Sequence, residues 1–120
     1  MEFDNNIPIY IQVIQDIKKE IVRGALGLGE KLPSGRELAM KYKINPNTAN
    51  RIYKEMEAEE LCFTKRGLGT FVTEDIEKLK QIREEMAGTL LENFLEGMKH
   101  LGFSKEDIKH LIDVKYEEKK

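Results

Sequence analysis

Residues 44–61 read INPNTANRIYKEMEAEEL, and the two halves of this segment differ in character. Apolar residues recur at helical spacing and predict one buried stripe of Ala49, Ile52, Tyr53 and Met56. The opposite face of the same helix then carries Asn47, Asn50, Arg51 and Lys54. Asn and Thr are only middling helix formers, so their concentration at the start of this helix calls for an explanation other than helix stability.

The side chains of this polar face match the chemistry of DNA. Asn bonds the edge of adenine, Arg bonds guanine or phosphate, and Thr48 bonds phosphate or contacts a thymine methyl group. An ordinary solvated helix face is the alternative, and this helix by itself does not decide between the two. The glutamates in the second half of the segment would repel DNA, which limits a contact to the first turns of the helix.

The residues before this helix predict two more helices and a tight turn. Residues 8–24 form an amphipathic helix with an apolar face of Tyr10, Ile14, Ile17 and Ile21. Ser34 with Glu37 forms a capping box that starts the second helix. Asn45 then caps the third helix, and Pro46 takes its first position, where a missing N–H costs nothing. Two helices joined by so short a connection form a helix-turn-helix.

After Leu61 the periodicity changes from that of a helix to that of two short strands. Strands are predicted at residues 62–65 and 70–73, and the loop between them consists of Arg66, Gly67, Leu68 and Gly69. The tip is basic, and its two glycines let the backbone approach a ligand closely. A plain surface hairpin is the alternative, but three helices followed by a basic hairpin favour a winged helix.

A long apolar stripe predicts that residues 74–120 form a helical tail. Gly102 ends its first helix, and Ser104 with Asp107 forms a capping box for a second one. Two helices cannot enclose so wide a stripe, and a second copy of the tail is the simplest partner. The residues predicted at this contact are Ile82, Met86, Leu90, Phe94 and Leu111.

The predicted fold is therefore mainly α with a small β-hairpin. A winged helix-turn-helix DNA-binding domain covers residues 1–73, and a two-helix dimerisation tail covers residues 74–120. The overall charge of −2 does not point to nucleic acid, but residues 31–66 hold 8 basic and 5 acidic side chains. A mildly basic middle permits a local phosphate-binding face.

Composition excludes several classes of protein. Hydrophobic residues make up 40% and charged residues 35% of the 120 residues, which is typical of a folded, charge-rich domain. No apolar run approaches the roughly 20 residues that span a bilayer. The first residues lack the features of a signal peptide, and the single Cys62 suits a reducing cytoplasm, so a cytoplasmic protein is expected. His100 and His110 have no partners at metal-ligand spacing and no nucleophile–base set is visible, so no metal, cofactor or enzyme is predicted.

The chain from Pro8 to Val72 resembles the winged-helix DNA-binding domain of the GntR family of bacterial transcription regulators. The most specific pieces are KLPSGREL, NPNTANRIYKEMEAEEL and RGLGTFV, and the short tail with the NPNT motif resembles the YtrA subfamily. The resemblance implies DNA contacts at Ser34, Arg36, Asn47, Thr48, Asn50, Arg51, Arg66, Gly67, Gly69 and Thr70. Gly35 stands where the family often has Glu, and Pro46 and Asn50 stand where many members carry Arg. The operator sequence of another family member therefore cannot be assigned to this chain. Its electrostatic attraction to DNA phosphates should be weaker than that of members with more Arg residues.

The resemblance implies a sequence-specific regulator, a repressor rather than an activator, that binds an inverted-repeat operator in double-stranded DNA as a homodimer. It also implies a small-molecule effector of unknown identity, and no membrane partner. The alternative is a winged helix used for protein–protein contact without specific DNA binding. That alternative would not need Arg36, Asn47, Asn50, Arg51 and Arg66 on one side, so DNA binding is the prediction.

Overall fold

The computed structural model describes residues 1–119, and the chain divides into two compact units, Met1–Arg83 and the part from Glu84 onward. The elements of these residues are, in order, α1 (Ile9–Val22), α2 (Gly35–Tyr42), α3 (Pro46–Ala58), β1 (Cys62–Lys65), β2 (Gly69–Val72), α4 (Ile76–His100) and α5 (Lys105–Glu118). The predicted mainly α fold with a small hairpin is confirmed. The predicted boundary after residue 73 precedes α4, whereas residues 76–83 of this helix fall in the first unit.

The core of the first unit lies between α1, α2, α3 and the hairpin. Its largest fully buried side chains are Ile21, Leu38, Ile52, Met56, Leu61, Val13 and Val72. The predicted stripe of α3 is confirmed, since all four of its members are buried. On α1 the buried face includes Val13, whereas Tyr10 is only half-buried because it lies at the edge of the core.

Both predicted helix starts of the helix-turn-helix are confirmed. Ser34 and Glu37 form the capping box of α2, and the side chain of Asn45 caps α3 ahead of Pro46. The turn between the helices passes through Lys43, whose φ of +56° is left-handed. This conformation ends α2 within one residue and lets α3 start in a new direction.

The hairpin is antiparallel, and its pairs run from Cys62 with Val72 to Lys65 with Gly69. Strand β2 begins one residue earlier than predicted, so residues 66–68 form the loop. The outer edge of β2 pairs with the segment between α1 and α2. Leu32 N–H donates to the Thr70 carbonyl at 2.8 Å, and Val72 N–H donates to the Glu30 carbonyl at 2.8 Å. This pairing covers an edge that would otherwise be open.

The second unit contains the remainder of α4 and all of α5. Ser104 and Asp107 form the predicted capping box of α5, and Ile108 is buried. Among the helices of residues 1–119, none has the length and apolar character that a membrane span requires.

Candidate nucleic-acid interface

The start of α2 presents Arg36 on a rigid first turn. Ser34 Oγ accepts the Glu37 backbone N–H at 3.1 Å, and the Glu37 carboxylate accepts the Ser34 N–H at 3.0 Å. The backbone hydrogen bond from Ser34 lowers the pKa of Glu37, with a smaller effect from the Ser34 side chain. Arg36 is exposed, and no group within residues 1–119 pairs with its guanidinium, which leaves it available to a phosphate.

The start of α3 presents two amide side chains from one fixed turn. Asn45 Oδ1 accepts the Asn47 N–H at 2.8 Å, and this bond anchors the end of the helix. Asn47 and Asn50 are exposed, whereas Thr48 is half-buried. Exposed amides near the N-terminus of the second helix of a helix-turn-helix suit the reading of base edges in the major groove.

Arg51 is held by other side chains of the protein. Its guanidinium carbon lies 3.8 Å from the centroid of the Tyr10 ring, and its Nε donates to Glu55 Oε1 at 3.2 Å. The Arg51 side chain remains 57% exposed. Cation–π contacts at exposed sites contribute about 0.5–1 kcal/mol, and exposed helical ion pairs about 0.3–0.5 kcal/mol. A DNA phosphate can therefore compete with Tyr10 and Glu55 for this guanidinium. In the absence of DNA, these two residues hold the guanidinium in one position.

The wing holds its glycines in conformations that side chains disfavour. Gly67 has a φ of +79°, and Gly69 has a φ of +122°. Arg66 is exposed at the tip and has no partner among residues 1–119. Thr70 Oγ1 lies 3.4 Å from Thr64 Oγ1 across the hairpin, and the Thr70 hydroxyl can donate to a further acceptor when Thr64 is the donor of this pair. The wing therefore combines a free cation with backbone that a phosphate can approach.

Residues 31–35 connect the three groups of predicted contacts. At one end, Lys31 Cε lies 2.9 Å from the point where a Cβ on Gly69 would stand. At the other end, Asn50 Oδ1 lies 2.6 Å from the point where a Cβ on Gly35 would stand. The start of α2, the polar face of α3 and the base of the wing are therefore neighbours.

Lys31 and Glu57 are two residues that the sequence analysis did not assign to the site. Lys31 is exposed beside Gly69 and adds a cation at the base of the wing. Glu57 was expected only to repel DNA, but its Oε1 accepts the Thr64 N–H at 2.9 Å and so ties the end of α3 to β1. Neither role follows from local spacing, because each depends on a contact between separate elements.

The apolar face of the second unit is largely open to solvent. Leu90 is 69% exposed and Phe94 is 40% exposed, and Met86 and Leu111 are half-buried. Ile82 differs from the expectation, since it is only 5% exposed and belongs to the first unit. Its side chain is already covered within the chain and does not offer a partner the apolar surface that the stripe suggested.

No group of three or more His, Cys, Asp or Glu side chains is arranged to hold a metal ion among residues 1–119. Cys62 is buried, and burial raises the pKa of its thiol to about 12. The thiol is therefore neutral and shielded at physiological pH, unlike a reactive nucleophile.

Comparisons with known proteins agree with this geometry. The sequence pattern of the family described as "Bacterial regulatory proteins, gntR family" matches residues 9–72. The chain is 41% identical to the "Uncharacterized HTH-type transcriptional regulator YhcF" of Bacillus subtilis, over 89% of this chain and 88% of that protein. It is 36% identical to the "HTH-type transcriptional repressor YtrA" of the same organism, over 78% of this chain and 77% of that protein. A solved GntR family regulator from Listeria monocytogenes is 42% identical and superposes with a TM-score of 0.87, over 92% of this chain and 97% of that one.

Proposed function

Because this chain belongs to the GntR family of bacterial transcription regulators, we propose that it recognises an inverted-repeat operator as a homodimer. The chain is a DNA-binding transcription regulator and not an enzyme. The observation that carries the finer proposal is the connection through residues 31–35, which makes neighbours of the α2 start, the α3 face and the wing. The groups that bind phosphate and the groups that read base edges would then contact the same stretch of duplex.

The proposed contacts divide into two classes. Arg36, Arg66 and Lys31 are exposed cations at the rim of the α3 face and bind phosphate. Asn47 and Asn50 lie on the α3 face itself and read base edges in the major groove. Removing a cation should weaken binding to every sequence, whereas removing an amide should relax the preference at particular base pairs.

The proposed dimer rests on the open apolar face of the second unit. Phe94, Met98, Leu111, Ile112, Lys115 and Tyr116 line an apolar groove there. Tyr116 is 74% exposed and Leu91 is 55% exposed, in addition to Leu90. Large side chains in one patch are typical of an interaction surface, and a two-fold pairing of this patch would cover it. Two winged domains would then read half-sites about one DNA turn apart.

The proposed direction of regulation, repression, is based on a similar protein. The YtrA protein of Bacillus subtilis is described as a transcriptional repressor, and we propose repression for this chain too. Its place of action is then the cytoplasm, where bacterial DNA lies. A small-molecule effector that changes operator affinity stays a prediction of the family resemblance.

Selection of binding sites from random duplex DNA by the full-length protein tests this proposal. We expect one selected inverted repeat whose half-sites are related by a two-fold axis. Failure to select any sequence, with only salt-sensitive binding to all duplexes, would contradict sequence-specific recognition.

Salt-dependent binding to the selected operator then tests the two classes of contact. Arg36→Ala and Arg66→Ala should each reduce the slope of log K against log salt by about one per protein copy, and they should weaken all sequences alike. Asn47→Ala should instead relax selection at one position of each half-site. Arg23→Ala is the matched control, because Arg23 is an exposed arginine of the same unit at the far end of α1. Equal effects of Arg23→Ala and Arg66→Ala would contradict the proposed orientation.

A further inference from the structure

Gly35 is the first residue of α2, and one side chain of α3 occupies the space beside it. A Cβ built on Gly35 would lie 2.6 Å from Asn50 Oδ1 and 3.7 Å from Asn50 Cγ. No other heavy atom outside its chain neighbours and the backbone of its own helix lies within 4 Å of that point, and the Asn50 amide nitrogen lies beyond that distance. A separation of 2.6 Å is too short for a real Cβ, so any other residue at this position displaces the amide of Asn50.

The backbone of Gly35 does not itself require glycine. Gly24, Gly29, Gly67, Gly69 and Gly102 have left-handed φ values, whereas Gly35 has the ordinary conformation of a helical residue. Glycine in a helix is less favourable than alanine, so local stability would favour a side chain here. The need for glycine therefore comes from the space that the Asn50 amide takes.

We propose that Gly35 is a specificity-determining residue, because the absence of its side chain sets the orientation in which Asn50 presents its amide to DNA. This inference rests on the proposed function, in which Asn50 reads a base. An amide carries an acceptor on one side and donors on the other, and its orientation decides which base edge it matches. Turning the Oδ1 atom away from α2 changes the group that faces the major groove and therefore the preferred base.

The experiment compares operator selection and affinity for the full-length wild type, Gly35→Ala, Asn50→Ala and the Gly35→Ala/Asn50→Ala double variant. Gly35→Ala should bind the wild-type consensus roughly 5-fold or more weakly, the loss expected when one bidentate contact is disturbed. Its selected sequence should change at the base pair that Asn50→Ala also relaxes, and at no other. In the Asn50→Ala background, the same substitution at residue 35 should change affinity less than 2-fold, since the displaced amide is gone.

Thermal melting and a matched glycine separate this effect from a structural one. Gly35→Ala should melt at or above the wild-type temperature, because only a mobile amide has to move and alanine favours the helix. Gly27→Ala is the control, since Gly27 also lacks a left-handed φ and its added Cβ would meet only Glu30 at an ordinary 3.9 Å.

The remaining outcomes would overturn this inference, and one of them would also overturn the proposed function. A folded Gly35→Ala protein with the wild-type consensus and affinity would overturn the inference while leaving the proposed function intact. The inference would also be overturned if Gly35→Ala changed operator affinity equally with and without the Asn50 side chain. Unfolding of the Gly35→Ala protein would overturn it too. Failure of the wild type itself to select a sequence would overturn the proposed function and this inference with it.

Discussion

Alanine at the tip of the wing should separate the effect of backbone strain from the effect of lost DNA contact. Gly67 has a φ of +79°, and Gly24 at the end of α1 has a φ of +85°. A Cβ added at either residue would meet no atom within 4 Å. Gly67→Ala and Gly24→Ala therefore introduce the same conformational strain, one at the wing and the other at the end of α1 opposite to the turn in which Tyr10 contacts Arg51.

The two substitutions should cost the same stability. An L-residue in the left-handed region costs about 1–2 kcal/mol, and the reduced freedom of the unfolded chain returns about 0.4–1 kcal/mol. The net loss is roughly 1 kcal/mol, which lowers Tm by about 4–8 °C in a domain of this size. Operator affinity should differ, because a hydrogen bond to a charged group contributes about 1.5–3 kcal/mol. Gly67→Ala should then lose at least roughly tenfold in affinity per wing, and Gly24→Ala should lose none.

The assay is a thermal melt of both full-length variants, followed by operator titration at a temperature where both remain folded. Equal melting and unequal binding would support a close approach of the Gly67 backbone to phosphate. Equal melting and equal binding would refute that reasoning, because the glycine would then serve only the folding of the hairpin. A difference in Tm between the two variants would refute the assumption that the left-handed φ alone determines the loss of stability.

Leu90→Asp should yield a monomer by light scattering and weak operator binding, because it places a charge in the proposed tail contact. Lys99→Asp should leave the mass unchanged, because Lys99 is exposed and its helical spacing from Leu90 puts it on the opposite side of α4. A dimeric Leu90→Asp protein would contradict the proposed interface. For Cys62, the folded pKa of about 12 exceeds the unfolded value, so the folded state binds more protons and stability falls as pH rises above about 8.5. Denaturant unfolding should show about 1–2 kcal/mol more loss between pH 8 and pH 10 in the wild type than in Cys62→Ala, and equal losses would contradict the burial of this thiol. Glu57→Gln removes a negative charge but keeps an acceptor for the Thr64 N–H, whereas Glu57→Ala removes both the charge and the acceptor that holds the wing. Glu57→Gln should therefore raise DNA affinity more than Glu57→Ala does. Equal gains in affinity would show that this hydrogen bond does not position the wing.

Local hydrogen-bonding chemistry made the helix starts predictable. Ser34 with Glu37 and Asn45 with Pro46 satisfy backbone N–H groups only a few residues away, so the relevant partners lie within one short segment of sequence. The core stripe of α3 was predictable for the same reason, since its period is a property of one helix. The hairpin register was misplaced by one residue at β2, because the loop conformation depends on Gly67 and Gly69 together.

Contacts between distant segments were not predictable from spacing. Helical spacing places Arg51 on the polar face of α3, but it does not show that the Tyr10 ring, far away in sequence, packs against the Arg51 guanidinium. The stripe of α4 looked continuous, yet Ile82 is covered within the first unit while Leu90 remains exposed. Periodicity identifies which side of a helix is apolar, but it does not say which neighbour covers each turn of that side.

The scarcity of free cations on the reading face gives the tail a quantitative role in the proposed function. Arg51 shares its guanidinium with Glu55, which leaves Arg36, Arg66, Lys31 and Lys54 as exposed cations on or beside the α3 face. So few phosphate contacts give weak, salt-sensitive binding by a single copy. Joining two copies makes the second half-site an intramolecular target, which raises avidity by roughly 10²–10⁴ without any new contact.

Operator occupancy should therefore follow the pairing of the tail as closely as it follows the chemistry of α3. By linkage, operator DNA that binds two copies must also stabilise their pairing by the same free energy. The apparent dimerisation constant of the full-length protein should tighten when operator is added, and a half-site duplex should leave it unchanged. A dimerisation constant that does not respond to the whole operator would mean that the two winged domains bind independently, and the tail would then have no part in specificity.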